Sequence, residues 1–103
     1  MEHCFNLVIH DAFVNSLNYN LSYYMYNNFH YFSKIIQLTY ASMNILKSFP
    51  YIYSTFYKSS NKEYRKFIIY NRFIIVYYIE NTTVNIVYFY DGRKNSSINF
   101  ENI

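Results

Sequence analysis

Cations stand at both ends of the most apolar part of this chain. Lys62, Arg65 and Lys66 lead into it, Arg72 interrupts it, and Arg93 and Lys94 follow it. Strands hold side chains at rigid positions, so cations at strand ends would converge on one end or one face of a sheet. A small basic sheet of that kind suits an anionic partner, either nucleic acid or an acidic protein segment. The same residues also fit a solvated strand edge guarded by Lys and Arg. Other chemistry is thin. His3, His10 and His30 lack metal-ligand spacing, so no metal site is expected. The sequence has no Gly-rich phosphate loop, so no cofactor is expected. Cys4 stands alone and reads as an inert thiol.

The element that must position the cations runs from Lys62 to Asn95. Three segments rich in Ile, Val, Phe and Tyr are separated by two polar breaks, Tyr70-Asn71-Arg72 and Glu80-Asn81-Thr82-Thr83. This predicts an antiparallel meander with strands at about 64–70, 73–79 and 84–90. The middle segment is apolar on both faces, so it should be central. The last should alternate Val84, Ile86 and Tyr88 against Asn85, Val87 and Phe89. Asp91-Gly92 closes it.

Upstream, Phe5 to Ile9 reads as a first strand. From Ala12 the spacing turns helical, with Val14, Leu17, Leu21, Met25 and Phe29 as the stripe and Asp11 as N-cap. A break is expected between Asn28 and Ser33. Ser33 would cap a second helix reaching about Ser48, with Ile36, Tyr40, Met43 and Leu46 as its stripe, before Pro50. Residues 51–61 read as the one long loop, with Ser59-Ser60-Asn61 at its tip. The tail, 95–103, reads as a weak strand, a helical turn or loose chain. The fold class is therefore α+β: two N-terminal helices on a small antiparallel sheet, in the order β-α-α-β-β-β.

The 103 residues fit one domain spanning 1–103. Formal net charge is +3, but seven of the nine Lys and Arg follow residue 57, so the basic character belongs to the second half. The 15 Tyr and 10 Phe, beside a single Gly, a single Pro and no Trp, match the codon usage of an A/T-rich genome. A selected stacking surface is the other reading of the same count. A start without an apolar leader, one cysteine and no run of about 20 apolar residues predict a cytoplasmic protein with no membrane partner.

The order of elements and four local patterns resemble the RelE/ParE superfamily of toxins from type II toxin–antitoxin systems. The patterns are Leu46-Lys-Ser-Phe-Pro50, Tyr64-Arg65-Lys66-Phe67-Ile68-Ile69, Phe73-Ile-Ile-Val-Tyr77, and Ile86-Val-Tyr-Phe-Tyr-Asp-Gly-Arg-Lys-Asn95. The resemblance implies a growth-inhibiting toxin held in a hetero-oligomer by a cognate antitoxin. Its target would be DNA gyrase for a ParE-like member, or the ribosome and its mRNA for a RelE-like one.

Metal-independent RNA cleavage needs an activated 2′-OH, cations for the extra phosphate charge, and an acid for the leaving oxygen. By resemblance, Arg65 and Arg93 would be catalytic if the chain is an mRNA interferase. Lys62, Lys66, Arg72, Tyr90 and Lys94 would then belong to binding. The usual set is incomplete. Phe67 and Ile74 replace a lysine and an arginine, Phe100 falls near the terminal acid/base position, and only Tyr88 or Tyr90 could stand in. The three histidines sit in the N-terminal half, apart from the basic face in sequence. The resemblance therefore favours a ParE-like toxin acting by protein binding, with a ribosome-dependent endoribonuclease and a degenerate toxin that still binds antitoxin as alternatives.

Overall fold

The computed structural model describes residues 4–59 and 61–94. It is α+β, with two helices against a five-stranded sheet. The expected pairing or helical turn in 95–103, with Phe100, lies outside the described residues, as does Ser60.

The first strand, β1 (Asn6–Ile9), leads directly into α1 (Asp11–Asn27). The N-cap is His10, not Asp11. Asp11 instead lies in the first turn, where a carboxylate favours the positive end of the helix dipole. The buried side of α1 carries Phe13, Ser16 and Leu21, with Leu17 and Tyr24 packed beside them. The expected stripe is thus rotated, and Val14 and Met25 are exposed. Helix α2 (Phe29–Leu46) follows after a single residue. Its cap is Asn28, whose side-chain oxygen accepts from the Tyr31 amide at 3.2 Å, so it begins four residues before Ser33. Ile35, Thr39, Met43 and Leu46 face the core, while Tyr40 and Ile45 face out.

The expected loop at 51–61 contains a strand, β2 (Thr55–Ser59). Thr-Phe-Tyr has high strand propensity, and β2 pairs antiparallel with β3 (Lys62–Ile69) as far as Ser59 opposite Lys62. β4 (Phe73–Glu80) and β5 (Thr83–Asp91) complete the sheet in the order β1-β5-β4-β3-β2. β4 is central, as its two apolar faces predict. The sheet is mixed, however, because β1 runs parallel to β5. A parallel partner needs a crossover, and the helical pair supplies it.

Strand β5 departs from simple alternation. Val76 pairs with Tyr88 and Tyr77 with Ile86, which leaves Val87 bulged. The bulge returns Phe89 to the helix side with Val84 and Ile86, and sends Val87, Tyr88 and Tyr90 to the other side. The main core, between helices and sheet, includes Phe13, Leu21, Ile35, Met43, Phe73, Ile75 and Tyr77. Tyr77 donates to the Pro50 carbonyl at 2.8 Å, which ties the turn after α2 to the sheet. A second cluster, Tyr64, Val76, Tyr78 and Val87, is buried on the opposite face.

Beyond Ile86, β5 runs past the end of β1, and α1 takes over its free edge. Ser16 Oγ accepts from the Phe89 amide at 3.0 Å, and Asn20 Nδ2 donates to the Phe89 carbonyl at 3.2 Å. Two side chains one helical turn apart thus serve both polar groups of one strand residue.

Candidate functional site

The cations do not converge. Three antiparallel strands carry the chain up, down and up, so the start of β3 and the end of β5 lie at opposite ends of the sheet. Pleating also sends neighbouring residues to opposite faces. Lys62 and Lys66 lie on the face away from the helices. Lys62 Nζ sits 4.7 Å from the Tyr78 ring centre, and Lys66 Nζ 4.6 Å from that of Phe56. Arg65 points to the helix side. Its guanidinium donates to the Tyr53 carbonyl and lies 5.1 Å from the Tyr51 ring centre. Behind it, burial pushes the Tyr77 hydroxyl up to about 12, against the opposing pull of the Arg65 charge.

The far end is built on Asp91, which is 2% exposed. Arg72 donates to one carboxylate oxygen through Nε at 3.0 Å and Nη2 at 2.8 Å, and to the Tyr31 hydroxyl through Nη1 at 2.9 Å. The Arg93 amide donates to the other oxygen at 2.9 Å, with its side chain 3.5 Å away. Burial works against the Asp91 charge. The bonds from Arg72 and Arg93 more than offset it and hold its pKa below the ordinary carboxylate value. Burial likewise opposes the Arg72 charge, and the bonds from Asp91, Tyr24 and Tyr31 raise its pKa regardless. Arg72 is therefore fixed by its neighbours. Tyr90 lies on the helix-free face beside Tyr88, with its pKa raised by burial. Lys94 is exposed beyond the end of β5, 5.9 Å from the Tyr19 ring centre.

The structure thus separates the two residues named as catalytic. Arg65 pairs with Tyr77, and Asp91, which holds Arg93, pairs with Phe73 four residues along β4. At about 3.3 Å per residue they stand roughly 13 Å apart along the sheet, before the length of the Arg93 side chain is added.

A third group is one that local spacing does not mark. His10 Nε2 donates to Asn85 Oδ1 at 2.8 Å across 75 residues of chain, and its ring meets Tyr78 edge-on, with centres 6.1 Å apart. In the neutral ring that bond keeps the proton on Nε2 and leaves Nδ1 as an acceptor. His10 and Lys62 each approach the Tyr78 ring, so His10 shares a face with part of the basic set. Only the parallel pairing of β1 with β5 brings it there, and local spacing carries no trace of that. Among the described residues no three His, Cys, Asp or Glu side chains group to hold a metal ion. No described helix is long and apolar enough to cross a membrane.

Family models and curated proteins were both compared with the chain, and neither comparison finds a match.

Proposed function

We propose that the chain is a growth-inhibiting toxin of the RelE/ParE type. It is ParE-like, acts by binding a cellular protein such as DNA gyrase, and is neutralised by a cognate antitoxin. One observation carries the choice of protein binding over RNA cleavage. Arg65 is turned to the helix side and engaged by Tyr53 and Tyr51, while Arg93 rests on Asp91 beyond the far end of β5. Two cations so placed cannot share one scissile phosphate.

The outer surface fits a protein partner. The outer strand β1 exposes Val8 and Ile9. Beside it lies a cavity of about 260 Å³ between the helices, lined by Ile9, Phe13, Leu17, Ile36, Tyr40 and Met43. Apolar surface of this kind, next to a strand edge, suits an antitoxin segment that adds a strand or lays a helix in the groove.

His10 supports a second reading. A ribonuclease built on this chain would use the imidazole beside Asn85, with Lys62 for phosphate charge, and not Arg65 with Arg93.

Induced expression in a bacterial host distinguishes the readings. Primer extension on several mRNAs and plasmid supercoiling are followed in the same culture. Arrest with intact mRNA and altered supercoiling is the expected result. Cuts inside translated codons, abolished by His10→Ala and unaffected by Arg65→Ala, would replace it with the nuclease reading. Healthy growth would leave a degenerate toxin.

A further inference from the structure

The end of the molecule where β5 finishes, the β3–β4 hairpin turns and α1 meets α2 gathers four cations. Lys34, Arg72, Arg93 and Lys94 lie there, and among the described residues Asp91 is the acid that pairs with them. Among the described residues the other five cations, Lys47, Lys58, Lys62, Arg65 and Lys66, are spread over α2's end, β2 and β3 with Glu63 and Glu80 nearby in sequence. Arg72 is committed to Asp91. Lys34, Arg93 and Lys94 are exposed.

Tyrosine rings alternate with these cations. Lys94 Nζ is 5.9 Å from the centre of Tyr19, and Lys34 Nζ is 5.8 Å from that of Tyr70. Tyr19 and Tyr23, one turn apart on α1, are 81% and 67% exposed, and Tyr70 is 47% exposed. Tyr70 is also strained. It and Asn71 are the central residues of the β3–β4 turn, closed by the Arg72 amide on the Ile69 carbonyl, with φ of 53° each, a left-handed geometry that bulky residues rarely adopt. The strained backbone holds the Tyr70 ring edge-on against Tyr31, with centres 5.5 Å apart, next to Lys34.

We infer that this end binds single-stranded nucleic acid, with Lys34, Arg93 and Lys94 on the phosphates and Tyr19, Tyr23 and Tyr70 as stacking faces for unpaired bases. Exposed aromatic rings interleaved with cations are the general solution for single strands, because every base has a π-face and every linkage a charge. A duplex hides its base faces and would find only the cations. An acidic protein segment would leave the exposed rings unused. The site is separate from the His10 group and from the apolar groove beside β1, so it stands or falls independently of the growth-inhibition reading.

The test is fluorescence anisotropy of the full chain with labelled uridine-rich RNA of about 12 nucleotides, the matching thymidine-rich DNA and a hairpin duplex of equal charge. Three released counterions predict an affinity loss of roughly 20-fold between about 50 and 200 mM salt. Lys34→Gln/Arg93→Gln/Lys94→Gln should flatten that slope. Tyr19→Ala and Tyr70→Asn should each weaken binding about fivefold or more at constant slope. Tyr70→Asn suits the left-handed turn, so its loss of binding is not a loss of fold, and circular dichroism checks each variant. Comparable RNA and DNA affinities support contacts to base and phosphate alone, and RNA preference adds the 2′-OH. No binding, tighter binding of the duplex, or binding abolished by Lys62→Gln/Lys66→Gln and untouched by the triple variant would overturn the proposal.

Discussion

Asp91→Asn is expected to be among the most damaging conservative changes in this protein. The carboxylate is buried, accepts two bonds from Arg72 and one from the Arg93 amide, and among the described residues is the acid that answers Arg72. The amide keeps the shape but removes the charge, leaving Arg72, whose side chain is only 15% exposed, without a counter-ion. Breaking one partner of a buried pair costs about 3–5 kcal/mol, against total stabilities of roughly 5–15 kcal/mol for a domain. Arg72→Met should cost a comparable amount, because the buried Asp91 then keeps only the Arg93 amide and an exposed Arg93 side chain, and the Tyr31 hydroxyl loses its donor. The double variant strands neither charge. It should be more stable than the sum of the single effects predicts by about 2–3 kcal/mol. Urea unfolding followed by tyrosine fluorescence and circular dichroism measures all four proteins. The pH dependence supplies a second check. The Asp91 pKa is lowered on folding, so its contribution is fully present above the ordinary value of 3.8 and is lost as pH falls through the lower folded value. Asp91→Asn should flatten that acid limb. Additivity of the single variants within about 0.5 kcal/mol, with an unchanged acid limb, would refute the account of the pair.

Three other expectations are checked by the same unfolding assay. Ser16→Ala strands the buried Phe89 amide and should cost about 1–3 kcal/mol. Gly92→Ala would place a Cβ 3.0 Å from the Arg72 carbonyl oxygen and 3.2 Å from Ile74, where backbone must give way, so a loss of about 1–3 kcal/mol is expected. Tyr77, raised from 10.0 to about 12, should make stability fall as pH climbs from 10 towards 12, because only the unfolded phenol ionises there. The loss should be on the order of 2–3 kcal/mol, and Tyr77→Phe should remove it.

The meander was legible because its signals are local. Tyr70-Asn71 and Asn81-Thr82 interrupt apolar runs, and β4 has apolar residues on both faces. The helical pair was legible in outline. Its boundaries were not, since Asn28 and Ser33 are equally good caps and only packing selects Asn28. β2 was missed because five residues of mixed burial look like loop until β3 lies beside them. The site suffered most. Lys62, Arg65 and Lys66 are neighbours in sequence, but pleating divides them between two faces. The direction of the strands sends Arg93 and Lys94 to the other end. His10 met Asn85 only through a parallel pairing that no short-range pattern encodes. Lys34 and Tyr19 were overlooked for the same reason, because they join the basic end through helix packing alone.

The clasp of Ser16 and Asn20 on Phe89 turns helix docking into a matter of discrete register. Apolar side chains alone would let α1 creep along the sheet at little expense. Sliding one helical turn, about 5.4 Å, would withdraw both partners from Phe89 and expose its amide and carbonyl in a buried place. Intermediate positions satisfy neither. The helix therefore has one seat, and the Phe89 amide proton, slow to exchange only while that seat is occupied, reports whether the helical layer is docked.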